Sequence, residues 1–343
     1  MSKHHGKHRR GQASGDSGAS APQRAVSHRK KSGESKGKGK ARAAVHRPPS
    51  SAHWARTAED GDPGGIAAPE PSLARAAAGL VTVRPGCRCD LGAIDADADG
   101  GLDKEAGKAA LAAERARIVA LQERLYAEHK RSLLVVFQAI DTGGKDGTIR
   151  AVFEGVNPQG CRVWSFKVPS AEESDHDFLW RYHAKAPARG MINVFNRSHY
   201  EDVLVVRVKD LVPEPVWRAR YGQINDFERM LAASGTTILK FFLHISKDEQ
   251  RERLEARIAN PEKHWKFDPA DLVERRSWDA YQAAFADALS ECSTPEAPWH
   301  VVPANRKWYR NLLVARTIAD TLEAMDPRFP DAKADLSGVT VPD

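Results

Sequence analysis

The sequence predicts an α/β protein, a three-layer arrangement in which a parallel sheet of about five strands is covered by helices on both faces. Three observations predict it. Short β-branched apolar runs alternate about five times with longer amphipathic stretches, the pattern of strands joined by helical crossovers. A glycine-bearing loop, residues 139–144, lies between one such run and the helix that follows it. The first 75 residues hold 15 Lys and Arg against 6 Asp and Glu and almost no large apolar groups, whereas the rest of the chain holds 37 against 40. The folded part is thus nearly neutral, and the basic character belongs to the N-terminal tail.

That tail, residues 1–76, includes "MSKHHGKHRRGQASGDSGAS" and "HRKKSGESKGKGKARAAVHRPP". It cannot bury enough surface to offset its chain entropy and is expected to be disordered. It serves either as a solubilising segment or as a sequence-independent contact for a polyanion, nucleic acid included. Beyond it, "GLDKEAGKAALAAERARIVALQERLYAEHKR" puts Ile118, Leu121 and Leu125 on one helical face. "LLVVFQ" (133–138) is β-branched and too short for a helix, so it is a strand. The loop then opens a helix from about Asp146 to Val156, which stops at "NPQG". Further short buried strands are expected at 161–167, 191–196, 236–246 and 299–304. Helices fall between and after them at "ESDHDFLWRYHAK", "WRARYGQINDFERMLAAS" and "KWYRNLLVARTIADTLEAM". In such sheets ligands bind at the carboxyl ends of the strands.

Composition narrows the function classes. At 343 residues and 41% hydrophobic content the chain has room for one large domain plus an appendage. Cys87, Cys89, Cys161 and Cys292 form no CxxC pair, which argues against a zinc site or disulfide scaffold and for a reducing, cytoplasmic setting. No segment approaches the ~20 apolar residues of a membrane span. No apolar region follows Arg9-Arg10, so neither export nor a membrane is expected. None of the 13 histidines stands in a catalytic-triad pattern.

The loop carries the chemistry. Ala139 to Asp146 reads A-x-x-x-x-G-K-D, a phosphate-loop pattern with Ala for the first Gly and Asp146 in place of the usual hydroxyl. It is either an ordinary glycine turn or a phosphate cradle, and its place between strand and helix is what a cradle requires. As a cradle, backbone N–H groups from Thr142 through Gly143 and Gly144 to Lys145, with the helix dipole behind them, surround an oxyanion. Gly147 completes the loop set, and Lys145 brings a point charge to a phosphoryl group. Asp141 would repel phosphates unless a cation lies between, which implies Mg²⁺, for which Mn²⁺ can substitute. Asp146 is placed to interact with the helix dipole. The strand "MINVFN" ends in Asn196, where a second acidic metal ligand would be expected, so a metal there gains only a neutral oxygen. Arg197 beside it is either a bidentate phosphate clamp or a surface ion pair. The fold alone also allows an ATP-dependent nucleoside or nucleotide monophosphate kinase, or a non-catalytic polyanion-binding protein.

Six stretches then become specific together: "QAIDTGGKDGTI", "VNPQGCRVWSFKVPS", "DHDFLWR", "FNRSHYEDVLVVRV", "NPEKHWKFDPADLVERRSWDAY" and "STPEAPWHVVPANRKWYRNL". In this order, over roughly residues 80 to 326, they resemble the family-2 polyphosphate kinases, in the form that accepts AMP as well as ADP. The resemblance implies a P-loop kinase fold similar to thymidylate kinase, a catalytic domain over 77–330, a helical lid at about 247–290 and a C-terminal tail at 331–343. It implies reversible transfer of the terminal phosphoryl group of inorganic polyphosphate to AMP or ADP, giving ADP or ATP. Asp141 and Asn196 would hold Mg²⁺, while Lys145 and Arg197 would contact the transferred group. Lys167 and Arg181 would line the nucleotide side, with Asp175, Asp177 and Glu201 either joining them or capping and pairing locally. Arg253, Arg257, Lys263 and Lys266 of the lid would neutralise the polymer, and Trp265 and Phe267 would pack the lid against the body. A homo-oligomer, dimer or tetramer, is also implied.

Overall fold

A parallel sheet buries its central strands on both faces, and the runs that are apolar throughout are the ones found there. The computed structural model describes residues 79–342, so the basic tail expected over 1–76 lies outside the described residues. In chain order the first elements are β1 (Val81–Thr82), α1 (Lys104–Glu128), β2 (Ser132–Gln138), α2 (Lys145–Val152), β3 (Cys161–Ser165), α3 (Ala171–Ser174), α4 (Trp180–His183) and β4 (Ile192–Asn196). There follow α5 (Glu201–Val208), α6 (Glu214–Ala233), β5 (Thr236–His244), α7 (Lys247–Ala259), α8 (Pro269–Arg276), α9 (Trp278–Glu291), β6 (Trp299–Pro303) and α10 (Lys307–Met325).

The sheet order is β1-β6-β5-β2-β4-β3. Strands β3, β4, β2, β5 and β6 pair in parallel, and β1 adds an antiparallel edge of two residues, too short to leave a pattern in the sequence. Every residue of β2 is buried, and it stands between β4 and β5. From β2 the chain runs to β3 and β4 on one side, then crosses to β5 and β6 on the other. The carboxyl end of β2 is therefore the point where the strand order reverses, the usual place for a ligand crevice. Helices α1, α2 and α10 pack together, and α5, α6 and α9 form a second packed group. Ile118 and Leu125 are buried as expected, with Leu121 half-buried beside them.

Several boundaries differ from expectation. Strand β3 is not buried, because it is the sheet edge with only β4 as a neighbour. The helix expected over 173–185 is two single turns. Asp177 accepts a hydrogen bond from the Leu179 N–H at 2.9 Å, and this local side-chain turn competes with a continuous helix. Helix α2 stops at Val152 rather than Val156, since Gly155 turns to a left-handed φ of 85° just before Pro158. Helix α9 is part of the body rather than the lid: Tyr281, Ala284, Phe285, Ala288 and Leu289 are buried in the core. Trp265 does not pack the lid down. It is 78% exposed with the Lys266 ammonium 4.7 Å from its ring centroid, while Phe267 is half-buried. Among the described residues the four cysteines are free and no helix is long and apolar enough to cross a membrane.

Candidate active site

The loop from Ala139 to Gly144 leaves the carboxyl end of β2 and is folded tightly enough to require its glycines. Thr142 and Gly144 both adopt left-handed φ, 63° and 98°. A Cβ at Gly143 would sit 2.5 Å from the Ala139 Cβ and 2.9 Å from the Ile140 carbonyl oxygen, and one at Gly144 would overlap Arg310 Nη1. The Gly143 N–H is spent inside the loop on the Ile140 carbonyl at 2.9 Å, so it is not among the donors that surround an anion. The Thr142 hydroxyl, by contrast, is buried with no partner. The hydroxyl that is missing after Lys145 is thus present earlier in the loop.

Lys145 opens α2 and is buried, its ammonium donating to the Ala139 carbonyl at 2.9 Å. Burial, then the nearby Arg197, lowers its pKa, against the pull of Asp141, Glu201 and Asp146. Arg197 follows the last residue of β4 in a left-handed turn with φ 63°, which aims its guanidinium back over the loop. There it lies 3.0 Å from Asp141 Oδ1 and 3.8 Å from Glu201 Oε2. Burial opposes its charge, but Glu201 and Asp141 hold the pKa above the ordinary value. Burial raises the Glu201 pKa despite Arg197 and Lys145. The Asn196 amide donates to Asp146 Oδ1 at 2.7 Å, so Asp146 bridges to the second strand end as well as standing in the first turn of α2.

The residues expected on the nucleotide side are arranged differently. Lys167 is exposed, but Arg181 is buried between the rings of Phe166 and Tyr182. It donates to the Lys167 carbonyl at 2.9 Å and lies 3.2 Å from Glu173, while its Nε is buried without a hydrogen-bond partner. Asp177 makes the turn already described, and Asp175 is exposed at the end of α3.

The four lid cations also divide. Arg253 donates to the carbonyls of Thr142 at 3.0 Å, Ala304 at 2.6 Å and Asn305 at 3.2 Å, and pairs with Glu249 at 2.6 Å. Arg257 ties α7 to the segment after it through Asp271 at 3.0 Å and the Lys266 carbonyl at 2.9 Å. Their spacing does place both on α7, but both are fastened. Lys263 and Lys266 remain exposed, the latter 4.0 Å from Asp146.

Two supports of the loop were not foreseen. Gln250 on α7 donates to the Asp141 carbonyl at 3.0 Å. Arg310 on α10, 3% exposed, lies under Gly144 and Gly147 and donates to the Asn311 side chain at 2.9 Å. Burial, then Arg253, pushes the Arg310 pKa down to about 9, and Lys307 is lowered by burial and the same neighbour. For Arg310 and Lys307 the signal was a run of cations just after a strand, "NRKWYR"; nothing in the sequence marked Gln250. Among the described residues no three His, Cys, Asp or Glu side chains gather as a ready metal cage. The Asp141 carboxylate and the Asn196 Oδ1, which stand at or just beyond the carboxyl ends of neighbouring strands, are hard oxygens and suit an ion held mostly by phosphate and water.

Against known proteins, the model of the Polyphosphate kinase 2 family matches residues 101–330. An AMP/ADP-polyphosphate phosphotransferase of Meiothermus ruber is 56% identical over 250 residues, 72% of this chain and 94% of that protein. An ADP-polyphosphate phosphotransferase of Rhodopseudomonas palustris is 50% identical over 227 residues, 63% of this chain and 78% of that protein. The crystal structure of polyphosphate kinase 2 from Arthrobacter aurescens TC1 aligns with a TM-score of 0.72 at 45% identity, covering 74% of this chain and 92% of that one.

Proposed function

The chain belongs to the polyphosphate kinase 2 family, and we propose that it transfers the terminal phosphoryl group of inorganic polyphosphate to AMP or ADP, reversibly, giving ADP or ATP. The observation that carries this reading is the convergence at the carboxyl ends of β2 and β4: a phosphate loop with an unpartnered Thr142 hydroxyl, the Lys145 ammonium, and Arg197 held 3.0 Å from Asp141.

An ionised nucleotide phosphate oxygen attacks the terminal phosphorus of the polymer. The new P–O bond forms as the bridging P–O bond breaks, and the departing chain, one phosphate shorter, keeps the electron pair. No general base is needed, because the attacking oxygen is already ionised at pH 7. The remaining loop N–H groups and Thr142 hold the terminal phosphate. Lys145 exchanges the Ala139 carbonyl for a phosphoryl oxygen, and Arg197 exchanges Asp141 for the charge that develops in transfer. Asp141 and Asn196 would hold Mg²⁺ or Mn²⁺, which supplies charge neutralisation between the two phosphates. Glu201 keeps Arg197 oriented once Asp141 is engaged. Lys167 is free to meet the nucleotide, while Lys263 and Lys266 face the polymer, which as a baseless polyanion needs cations and no stacking platform. Water is excluded as the segment after α7, which carries Lys263 and Lys266, folds over the polymer. Residues 77–330 form the catalytic domain, which works in the cytoplasm as a homo-oligomer, dimer or tetramer.

The test mixes purified protein, Mg²⁺, AMP or ADP, and polyphosphate without ATP, and follows ATP by luminescence. ATP from ADP is expected. A signal only with an ATP donor would make the protein an ordinary nucleotide kinase, and none with either donor would leave a polyanion-binding protein.

A further inference from the structure

A cavity of about 630 Å³ opens near the amino-terminal ends of β3 and β4, away from the phosphate loop at the other end of the sheet. The parallel register sets Arg162 beside Asn193 and Trp164 beside Phe195, so Arg162, Trp164 and Asn193 project from one sheet face. The lining contains Arg162, Lys185 and Arg189 and no Asp or Glu. Neither Arg162 nor Arg189 has a carboxylate partner among the described residues. Asn193 is 5% exposed, and its Nδ2 donates to the Lys185 carbonyl at 2.8 Å, which fixes the orientation of the amide. Its Oδ1 is left as a buried acceptor with no donor. The Trp164 Nε1–H is a buried donor with no acceptor in the same cavity, the Lys185 ammonium standing 4.5 Å from its ring centroid. Buried polar groups are normally paired, so two orphans of opposite polarity in one cationic cavity indicate a missing partner.

We propose that this cavity is a second ligand site, built for a nucleoside phosphate. The phosphate meets Arg162 and Arg189, an N–H of the base donates to Asn193 Oδ1, and a ring or carbonyl acceptor of the base takes the Trp164 Nε1–H. Inorganic phosphate and polyphosphate satisfy the cations but bring no base donor, and would leave the Asn193 acceptor bare. The volume lies within the range of small-molecule sites. The site is independent of the transfer chemistry, since none of these side chains borders the loop.

Equilibrium dialysis of the full chain against AMP, without polyphosphate, tests it, with the double variant R162E/R189E alongside. Both arginines are exposed, so the variant folds, and its polyphosphate-dependent turnover at saturating AMP is expected to match the unaltered protein. The unaltered protein should bind one AMP per chain more than the variant, whose second site weakens roughly tenfold or more. Asn193→Asp should weaken the same AMP while leaving tripolyphosphate binding no stronger. Equal stoichiometry in the two proteins overturns the proposal. So does displacement of the extra AMP by inorganic phosphate at equal concentration, which would mark a general anion patch. Loss of turnover with the extra AMP retained would strike the transfer reading alone.

Discussion

Lys145 shows how a single position acquires its chemistry. Its ammonium is buried against one carbonyl, and burial destabilises the charge in the free protein, so an arriving phosphate oxygen relieves an existing cost. Replacing it with Ala should cut kcat/KM by roughly a thousandfold or more, with circular dichroism unchanged. Activity retained in the luminescence assay would remove the lysine from the reaction. Thr142 carries a second lesson at this level. Its hydroxyl lies four residues before the place where the loop pattern normally has one. A left-handed φ at Thr142 leaves that hydroxyl buried and unpartnered, and neither feature can be read from residue order.

Helix α7 and its neighbours show the same charge type put to two uses. Arg253 is fastened to three backbone carbonyls from two loops, whereas Lys263 and Lys266 lie in solvent. Arg253→Met should therefore lower stability by about 2–4 kcal/mol along with kcat, since three carbonyls lose a charged donor. The pair Lys263→Ala and Lys266→Ala should instead raise KM for the polymer several-fold, with kcat and melting temperature kept, and the effect should shrink in high salt. Equal behaviour of the two variants would refute this division. Behind β5, Lys240 makes a fully buried network with Glu228 at 2.5 Å, the Tyr200 hydroxyl at 2.8 Å and the Cys292 carbonyl at 2.6 Å, and His199 joins Glu228 at 3.0 Å. It anchors β5 and α6 to the turn that bears Arg197. Burial opposes ionisation of Glu228, yet Lys240 holds its pKa below the ordinary value. Lys240→Met strands that carboxylate and should cost about 3–5 kcal/mol in urea titration; an unchanged midpoint would mean the network is not an anchor.

For the molecule as a whole, buried histidines set the response to acid. His300 is driven down to about 4 by burial and by Lys240, and burial lowers His199 and His244 as well. Below about pH 6.5 the unfolded chain takes up protons that the fold refuses, so stability falls as pH drops, by up to ~1.4 kcal/mol per pH unit for each such histidine. Asp202, raised to about 6 by burial, works in the opposite direction between its unfolded value and pH 6, because there the native state holds the extra proton. His300→Gln should flatten the slope of unfolding free energy between pH 6.5 and 4 by about one proton, measured by urea titration at each pH. An unaltered slope would exclude His300 as a source. Removing residues 1–76 is expected to leave phosphotransfer intact and to reduce affinity for polyanions at low salt, the contrast vanishing as salt rises.

The five parallel strands, the loop at residues 139–144, and the presence of Lys145 and Arg197 just past the carboxyl ends of two of those strands were legible from residue order. Each rests on local properties: β-branched runs, glycine spacing, and the rule that parallel strands present their carboxyl ends together. What needed the folded chain was the division of labour among like residues. Arg253 and Arg257 read the same as Lys263 and Lys266 along the chain, but Arg253 meets carbonyls brought from distant segments and Arg257 a carboxylate and a carbonyl that the fold turns back onto it. Arg310 reaches the loop from 166 positions away from Gly144 in sequence numbering, a proximity set by the packing of α10 against α2. Sequence by itself determined which groups were available to handle phosphate; tertiary structure decided which remained free to do so, because a cation is useful to a substrate only when the fold has not already satisfied it.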